Sequence, residues 1–410
     1  MNDFPSRHLV LGLTGGIAVY KAAELARLLV QEGVSVQVVM TEAATRFVTP
    51  LTFQALAGRR VYSDLWDPRV ENAMAHIELS RAARAILVAP ASADFLAKLV
   101  HGFADDLLSA LCLARECPLL VAPAMNRQMW DNPATRRNMA QLAADGVEIL
   151  GPASGEQACG EVGPGRMLEP EALLEAALAV FQPKTLAGLR ALVTAGPTFE
   201  AMDPVRGVTN VSSGKMGFAV ARALREAGAR VTLIAGPVSL PTPYGVVRHD
   251  VVSAEEMLGA VKAQVAEADL FVSVAAVADF RPARASEHKI KRSGGRLTLE
   301  LVPNPDILGY VASLPEAPFC VAFAAESERL DEQAEAKRRA KGVPLLVANL
   351  VQEAIGAEEN QVVLFDDEGR HPLPRGPKLQ VARALVGRIA ALWPEWRRRR
   401  SKPGARAARP

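Results

Sequence analysis

Three polar residues in the first half of the chain have side chains suited to catalysis. Cys159 lies in QACGEVGPGRM, where glycines and a proline predict an exposed turn around the thiol. A thiol in such a turn packs poorly but is well placed to give a proton to a bound substrate. His76 lies in NAMAHIELSR, and Asn126 follows VAPAM, where its amide could bind a carboxylate. Each residue also has a structural alternative: an incidental surface thiol, a structural histidine, or an asparagine that caps a helix.

A glycine turn near the start of the chain could hold a phosphate group. In LVLGLTGG, Gly15 and Gly16 would let backbone N–H groups approach a phosphate at the start of a helix. The next predicted strand ends in Met40 and Thr41, not in the acid that usually binds the ribose of NAD. The first half therefore favours a smaller, singly phosphorylated cofactor such as FMN.

A second loop of this kind, TNVSSGKMG, occupies residues 209–217 and matches neither the Walker pattern nor G-x-G-x-x-G. It offers hydroxyl groups, backbone N–H groups and the cation of Lys215, which suit a phosphate or a carboxylate. The alternative is that Ser213 merely caps an amphipathic helix.

The elements that would position these residues alternate along the whole chain. Strand-length apolar runs such as AILVAPA are followed by helical-period segments, which predicts an α/β fold with parallel strands. The pattern stops at FQPKTLAGLR and then restarts, so we predict two Rossmann-like domains whose ligands bind at the carboxyl ends of the strands. The predicted boundaries are a first domain at 1–182, a linker at 183–190, a second domain at 191–396 and a disordered basic tail at 397–410.

Composition excludes several classes of protein. The chain has 410 residues, half of them apolar, and no apolar run long enough to span a membrane. Its start lacks the layout of a signal peptide, and its four cysteines include no C-x-x-C, which predicts a cytoplasmic protein without structural zinc. The last 14 residues carry seven positive charges, so residues 1–396 have a net charge of −5, although the whole chain has +2. We read this tail as a solvated terminus and expect no nucleic-acid partner.

In chain order, the longest motifs resemble those of two enzyme families. The first half is similar to the flavin-dependent phosphopantothenoylcysteine decarboxylases in LTGGIAVYKAAELARLL, ATRFVTPLTFQAL, HIELSR, APASADFLAKLVHGFADDLLS, APAMNRQMW and ACGEVGPGRM. The second half resembles phosphopantothenate–cysteine ligase in TAGPTFEAMDPVRGVTNVSSGKMG, AAVADFRP, KIK, PNPDIL and FAAE. The resemblance covers roughly residues 8–390 and implies a bifunctional enzyme family of coenzyme A synthesis. It further implies a flavodoxin-like flavoprotein fold followed by a Rossmann-like ligase fold.

For the first domain, the resemblance implies FMN and a substrate that loses CO2. A carbanion left by simple decarboxylation would have no electron sink, so the substrate is first oxidised by the flavin, which later returns the electrons. By the same resemblance, His76 is catalytic, Asn126 holds the substrate carboxylate and Cys159 protonates the product. The FMN-binding positions implied are Gly15, Gly16, Thr41 and Ser92. The family also implies decarboxylase trimers with the active site between subunits, and ligase dimers.

For the second domain, the resemblance implies that CTP and Mg²⁺ activate 4′-phosphopantothenate as an acyl-cytidylate, which the amine of L-cysteine attacks. Asn210 would contact this intermediate, and Lys289 would neutralise the triphosphate as pyrophosphate forms. Asp279 could serve the cation or the nucleotide. The CTP-binding positions implied are Ser273, Val274, Ala275, Asp279, Lys289, Pro305, Asp306, Ile307, Leu308, Phe323, Lys337 and Lys341.

Two other functions compete with this interpretation. A tandem-Rossmann NAD(P) oxidoreductase is disfavoured by the missing G-x-G-x-x-G and ribose-binding acid. A flavin-binding regulator without catalysis is disfavoured because His76, Asn126 and Cys159 are all present.

Overall fold

The computed structural model describes residues 7–67, 74–291, 297–326, 330–350 and 357–401. The chain forms two compact units, residues 1–182 and 183–410. No helix in these described ranges is both long and apolar enough to cross a bilayer.

The first unit contains a five-stranded parallel sheet with the strand order β2-β1-β3-β4-β5. This is the flavodoxin order, and the predicted flavodoxin-like fold is confirmed. Strands β1 and β3 are buried along their whole length, because helices cover both faces of the sheet. The elements are β1 His8–Leu13, α1 Val19–Gln31, β2 Ser35–Met40, α2 Glu42–Thr45, α3 Pro50–Ala57, α4 Ala75–Ala82, β3 Ala85–Ala91, α5 Ala93–His101, α6 Leu107–Leu113, β4 Leu119–Pro123, α7 Arg127–Asp131, α8 Pro133–Ala144, β5 Glu148–Ile149, β6 Ala153–Glu156, β7 Val162–Arg166 and α9 Pro170–Val180.

The second unit contains an eight-stranded sheet with the order β12-β11-β8-β13-β16-β17-β19-β20. Its first six strands are parallel and follow the Rossmann order 3-2-1-4-5-6, which confirms the predicted fold, and β19 and β20 are antiparallel. The elements are β8 Arg190–Ala195, β9 Phe199–Ala201, β10 Gly207–Thr209, α10 Lys215–Glu226, β11 Arg230–Ala235, β12 Val247–Asp250, α11 Ala254–Gln264, a 3₁₀ turn Val265–Glu267, β13 Leu270–Ser273, β14 Phe280–Pro282, β15 Leu301–Pro303, α12 Ile307–Ala312, β16 Phe319–Glu326, α13 Leu330–Lys341, β17 Leu345–Leu350, β18 Glu359–Asn360, β19 Val363–Asp366, β20 Gly369–Pro372, β21 Gly376–Pro377 and α14 Lys378–Ser401.

The segment 183–190, predicted as a linker, packs against the second unit instead. Leu186 is 1% exposed and belongs to the hydrophobic core of that unit. Lys184 Nζ donates to the backbone oxygen of Glu226 at 2.9 Å, and β8 begins at Arg190. The apolar side chain of Leu186 outweighs the local proline and polar residues that suggested a bridge.

The tail predicted to be disordered from residue 397 is helical up to Ser401, because α14 continues through it. Trp393 and Trp396 stack on each other with ring centroids 5.3 Å apart. Arg400 donates to the backbone oxygen of Ala317 at 2.7 Å. The predicted boundary at 397 is therefore wrong, since these contacts order the end of the helix; residues 402–410 lie outside the described residues.

Candidate active sites

The carboxyl ends of β1 and β3 meet at the switch point of the first sheet, where chain connections leave in opposite directions. The hydroxyl of Thr14 donates to the backbone oxygen of Pro90 and accepts from the backbone N–H of Ser92, each at 2.8 Å. The predicted positions Gly15, Gly16 and Ser92 are thereby brought to one place. Thr14 begins the segment that directly follows buried β1, but it was not among the predicted FMN-binding positions.

Donor groups surround this glycine turn. A Cβ added to Gly15 would lie 2.6 Å from the Cβ of Ala43, so the close approach requires glycine. Thr41 and Ser92 each accept a backbone N–H as helix N-caps, at 3.3 and 3.2 Å, which leaves their hydroxyl hydrogens to donate elsewhere. Glycine backbone, hydroxyl groups and helix starts together suit the phosphate of a flavin nucleotide.

Asn126 follows β4 at the same edge of the sheet and caps α7. Its Oδ1 accepts from the backbone N–H of Met129 at 3.0 Å, and its Nδ2 donates to Gln128 Oε1 at 2.7 Å. The structural alternative from the sequence, a helix cap, is therefore present. The cap uses Oδ1 and the bond to Gln128 uses one N–H, so the second N–H can still bind a carboxylate.

Cys159 lies at the tip of the β6–β7 hairpin, which docks on the loop that carries Asn126. The backbone N–H of Met125 donates to the oxygen of Gly165 at 3.0 Å, and that of Arg127 donates to Gln157 Oε1, also at 3.0 Å. The thiol of Cys159 is exposed and lies 3.9 Å from the same Gln157 oxygen. The structure therefore brings Cys159 and Asn126 into one region.

His76 lies on α4 and is half-buried. It lines a cavity of about 360 Å³ with Trp66 and Leu113. Its Nδ1 is buried and has no hydrogen-bond partner among the described residues. No hydrogen bond within the described part of the chain joins His76 to Asn126 or Cys159.

The second sheet has its own switch point, between β8 and β13. Asn210 Nδ2 donates to the backbone oxygen of Ala276, just past β13, at 2.5 Å, and its Oδ1 accepts from the N–H of Ser212 at 3.0 Å. The cap of α10 is Gly214, which has φ +75°, a value that favours glycine. The alternative in which Ser213 caps this helix is wrong.

Several predicted nucleotide positions follow β13 beside this loop. The backbone N–H of Val274 donates to Thr194 O at 3.2 Å, and that of Ala275 donates to Thr194 Oγ1 at 3.4 Å. Ser273 pairs with the residue before Phe323 on β16. Ser273, Val274 and Ala275 therefore lie near Asn210 at the end of β13, and Phe323 lies on the adjacent strand β16.

The predicted segment from Pro305 to Leu308 leads into α12, which Asp306 caps. The Asp306 carboxylate accepts from the N–H of Gly309 at 2.8 Å and forms an ion pair with Lys341 of α13, one turn after Lys337. Burial raises the pKa of the Asp306 carboxyl, but these hydrogen bonds outweigh it and the pKa lies below its usual value. The ion pair joins two of the predicted CTP segments.

Lys289 and Asp279 are exposed, and neither side chain makes a hydrogen bond to another described residue. The segment of Lys289 is anchored by Asp203, a buried residue that is 2% exposed. It accepts from the N–H of Ile290 at 3.1 Å and pairs with Arg206, whose guanidinium, together with backbone N–H groups, holds the pKa of Asp203 well below its usual range. Sequence reasoning missed this anchor, although DPVRG lies in a motif that carried the resemblance.

Two other features lie away from these sites. A cavity of about 690 Å³ lies at the amino edge of the second sheet, where β8, β11 and β12 begin. A group with metal-ligand spacing among the described residues, Asp366, Glu368 and His371, is bridged by the guanidinium of Arg388, which is 2.7 Å from each of the two carboxylates. Neither feature lies at a switch-point site.

The two folds define a two-domain α/β protein of the class that combines a flavoprotein domain with a ligase domain. The family described as "Flavoprotein" matches residues 2–182, and the "DNA/pantothenate metabolism flavoprotein C-terminal domain" matches residues 186–392. The chain is 48% identical to the coenzyme A biosynthesis bifunctional protein CoaBC of Vibrio vulnificus (strain YJ016) over 96% of this chain and 99% of that protein. It is 46% identical to CoaBC of Escherichia coli (strain K12), again over 96% and 99%. The solved C-terminal domain of a CoaBC protein is 36% identical, with a TM-score of 0.46 over 52% of this chain and 99% of that one.

The chain belongs to the family of bifunctional coenzyme A biosynthesis proteins CoaBC. It is a phosphopantothenoylcysteine decarboxylase and phosphopantothenate–cysteine ligase, as the sequence predicted, and the oxidoreductase alternative is set aside.

Proposed function

We propose that each activity is carried out at one switch point: decarboxylation at the carboxyl ends of β1 and β3, and ligation at those of β8 and β13. The observation that supports this assignment is that Gly15, Gly16 and Ser92 lie together at the first place, and Asn210 and the residues after β13 at the second. The ligase site would make phosphopantothenoylcysteine from 4′-phosphopantothenate, L-cysteine and CTP. The decarboxylase site would convert it to 4′-phosphopantetheine.

In the first unit, Gly15, Gly16, Thr41 and Ser92 would hold the phosphate end of FMN. The residues fit this group, because the turn has no room for a side chain at Gly15 and is surrounded by N–H and hydroxyl donors. When bound, FMN supplies the reversible two-electron oxidation of the substrate that makes loss of CO2 possible.

The side chains of the same site would orient the substrate and move protons. Asn126 would donate its second N–H to the substrate carboxylate while the cap holds the amide in place. Cys159, on its docked hairpin, would give a proton to the product, and His76 would act at its half-buried position on α4.

In the second unit, the N–H groups and cations around the α10 loop would hold the anionic groups of the reactants. Asn210 would contact the acyl-cytidylate through the N–H that it does not donate to Ala276. Lys289, Lys337 and Lys341 would balance the triphosphate charge, and the Asp279 carboxylate is a suitable ligand for Mg²⁺. The remaining predicted contacts to CTP are Ser273, Val274, Ala275, Pro305, Asp306, Ile307, Leu308 and Phe323.

We further propose that the first unit forms trimers and the second forms dimers, in the cytoplasm. Trp66 and Leu113, which are 80% and 59% exposed beside His76, support a subunit contact at this place. The four free cysteines support a reducing compartment.

One assay tests the assignment of both steps. Purified full-length protein is incubated with 4′-phosphopantothenate, L-cysteine, CTP and Mg²⁺, and products are followed by mass spectrometry. We expect phosphopantothenoylcysteine, then 4′-phosphopantetheine and CO2, from a protein with flavin absorbance. A flavin-bound protein that releases no CO2 from phosphopantothenoylcysteine would instead support the catalytically silent flavin-binding regulator.

A further inference from the structure

A chain of hydrogen bonds connects the hairpin that carries Cys159 to Asn126. The backbone N–H of Met129 donates to Asn126 Oδ1 at 3.0 Å, and Asn126 Nδ2 donates to Gln128 Oε1 at 2.7 Å. Gln128 Nε2 in turn donates to the carboxylate of Glu161. Glu161 lies two residues after Cys159, directly before the second strand of the hairpin.

The groups at the two ends of this series of hydrogen bonds fix the orientation of the Asn126 and Gln128 amides. A backbone N–H can only donate, so the oxygen of Asn126 faces Met129. An ionised carboxylate can only accept, so the nitrogen of Gln128 faces Glu161. The oxygen of Gln128 and the nitrogen of Asn126 then face each other, which leaves the second N–H of Asn126 without an acceptor among the described residues.

Glu161 is therefore the contact through which the hairpin reaches the Asn126 amide. Its other carboxylate oxygen, Oε2, is buried and has no partner among the described residues. A buried carboxylate oxygen without a hydrogen-bond partner destabilises the docked hairpin. The charge-assisted bond between Gln128 and the other oxygen of Glu161 offsets this cost. Displacing the hairpin would break this bond and also move Cys159.

We propose that Gln128 and Glu161 are positioning residues for decarboxylation, which couple the docking of the Cys159 hairpin to the orientation of Asn126. The proposal rests on the assignment of Asn126 and Cys159 as substrate-contacting groups. The hairpin carries the proton donor and the amide holds the substrate. The Gln128–Glu161 bond is the link that reaches the amide itself, beside the two backbone N–H bonds that dock the hairpin on the same loop.

An exchange of the two side chains tests the proposal. Gln128→Glu alone places two carboxylates against each other, which should displace the hairpin and lower the rate of 4′-phosphopantetheine formation by about a hundredfold. In the double variant Gln128→Glu/Glu161→Gln, the new carboxylate at 128 can accept from both Asn126 Nδ2 and the amide at 161. We expect the double variant to recover most of the lost rate.

A matched control lies on α8, where Gln141 Nε2 donates to the exposed carboxylate of Asp145 at 2.8 Å. Gln141→Glu creates the same carboxylate pair away from the site and should leave the rate unchanged. Ligation and flavin absorbance of each full-length variant report whether it is folded. If Gln128→Glu does not fold, Gln128→Met removes the link without adding charge and should still release CO2 while oxidised thiol product accumulates.

The outcomes distinguish a wrong assignment of the site from a wrong positioning role for Gln128 and Glu161. A wild-type protein that releases no CO2 from phosphopantothenoylcysteine would overturn the assignment of the site itself. With an active wild type, a fully active Gln128→Glu or Gln128→Met variant would overturn the positioning role. A double variant as slow as Gln128→Glu would also overturn it, because the loss would then come from something other than this hydrogen bond.

Discussion

The four free thiols of the chain differ in what their surroundings allow them to do. Burial raises the pKa of Cys112 to about 12, and Cys320 is buried and donates to the oxygen of Pro318 at 3.4 Å. Burial also raises the pKa of the half-buried Cys117. Cys159 is the exposed thiol of the four, so it can meet a substrate without unfolding of the core.

Replacing Cys159 by alanine should therefore stop the reaction after CO2 is lost. Oxidation and decarboxylation precede the proton transfer assigned to Cys159, so the variant should still release CO2 while an oxidised ene-thiol product accumulates. Mass spectrometry and CO2 release measure the two steps separately. Cys117→Ala is the matched control and should complete the reaction; normal turnover in Cys159→Ala would make Cys159 an incidental thiol.

Asn210 and Lys289 should act at different stages of ligation. Lys289→Gln removes a charge that would balance the pyrophosphate side, and losing one such partner costs about 3–4 kcal/mol, so the acyl-cytidylate should fail to form. Asn210→Asp keeps the shape but loses an amide donor, and should mainly impair binding of the intermediate and its transfer to cysteine.

Incubation of each variant with 4′-phosphopantothenate, CTP and Mg²⁺ but without cysteine checks both roles. Acyl-cytidylate and pyrophosphate are measured together. If the intermediate accumulated with Lys289→Gln and was absent with Asn210→Asp, the two roles would be reversed.

At the scale of elements, the buried carboxylate of Asp203 connects the β9–β10 turn to the segment of Lys289. The guanidinium of Arg206 and the N–H groups of Val205, Arg206 and Ile290 lower its pKa. A carboxyl whose folded pKa is lowered stabilises the fold fully above its unfolded pKa, about 3.9, and loses this contribution as the pH falls through the folded pKa.

Asp203→Asn should therefore lower the thermal stability at pH 7, because its amide would place an N–H against other donors. The difference in melting temperature between wild type and variant should stay constant from about pH 5 to 8 and narrow below about pH 4. Thermal unfolding at a series of pH values measures this. Asp250→Asn is the control, because that carboxylate is 70% exposed in its pair with Arg248 and should contribute little to stability. A difference in melting temperature that widened towards low pH would contradict the lowered pKa of Asp203.

Individual strands and helices show how much of the fold the sequence could predict. Runs such as AILVAPA were predicted as strands because they are continuous apolar runs of strand length, and β3 occupies Ala85–Ala91 as predicted. The β9–β10 hairpin between β8 and α10 was not predicted, because its strands have three residues each and no apolar alternation. The helical end of α14 was missed because four consecutive arginines conceal the packing of Trp393 and Trp396.

The candidate sites were predictable only in part. Residues directly after buried strands, such as Ser92 and Ser273, follow from topology, because parallel strands end at one edge. Gln128 and Glu161 did not stand out, since their relation exists only when a hairpin 33 residues away docks on α7. A residue whose position depends on one element is easier to find from the sequence. A residue whose position depends on two elements packed together is harder to find.

At the scale of the whole molecule, two independent sheets with separate switch points predict two activities that can be lost one at a time. His76→Asn should stop decarboxylation while flavin remains bound and ligation continues, so phosphopantothenoylcysteine should accumulate. Lys289→Gln should stop ligation but still decarboxylate phosphopantothenoylcysteine that is supplied.

A mixture of the His76→Asn and Lys289→Gln proteins should then convert 4′-phosphopantothenate, L-cysteine and CTP to 4′-phosphopantetheine, because the intermediate made by the first protein can diffuse to the second. Mass spectrometry of the mixture, compared with each variant alone, measures this complementation. Each variant alone should give none of the final product beyond its residual rate. If either substitution removed both activities from a protein with normal flavin absorbance, the assignment of one reaction to each switch point would be wrong.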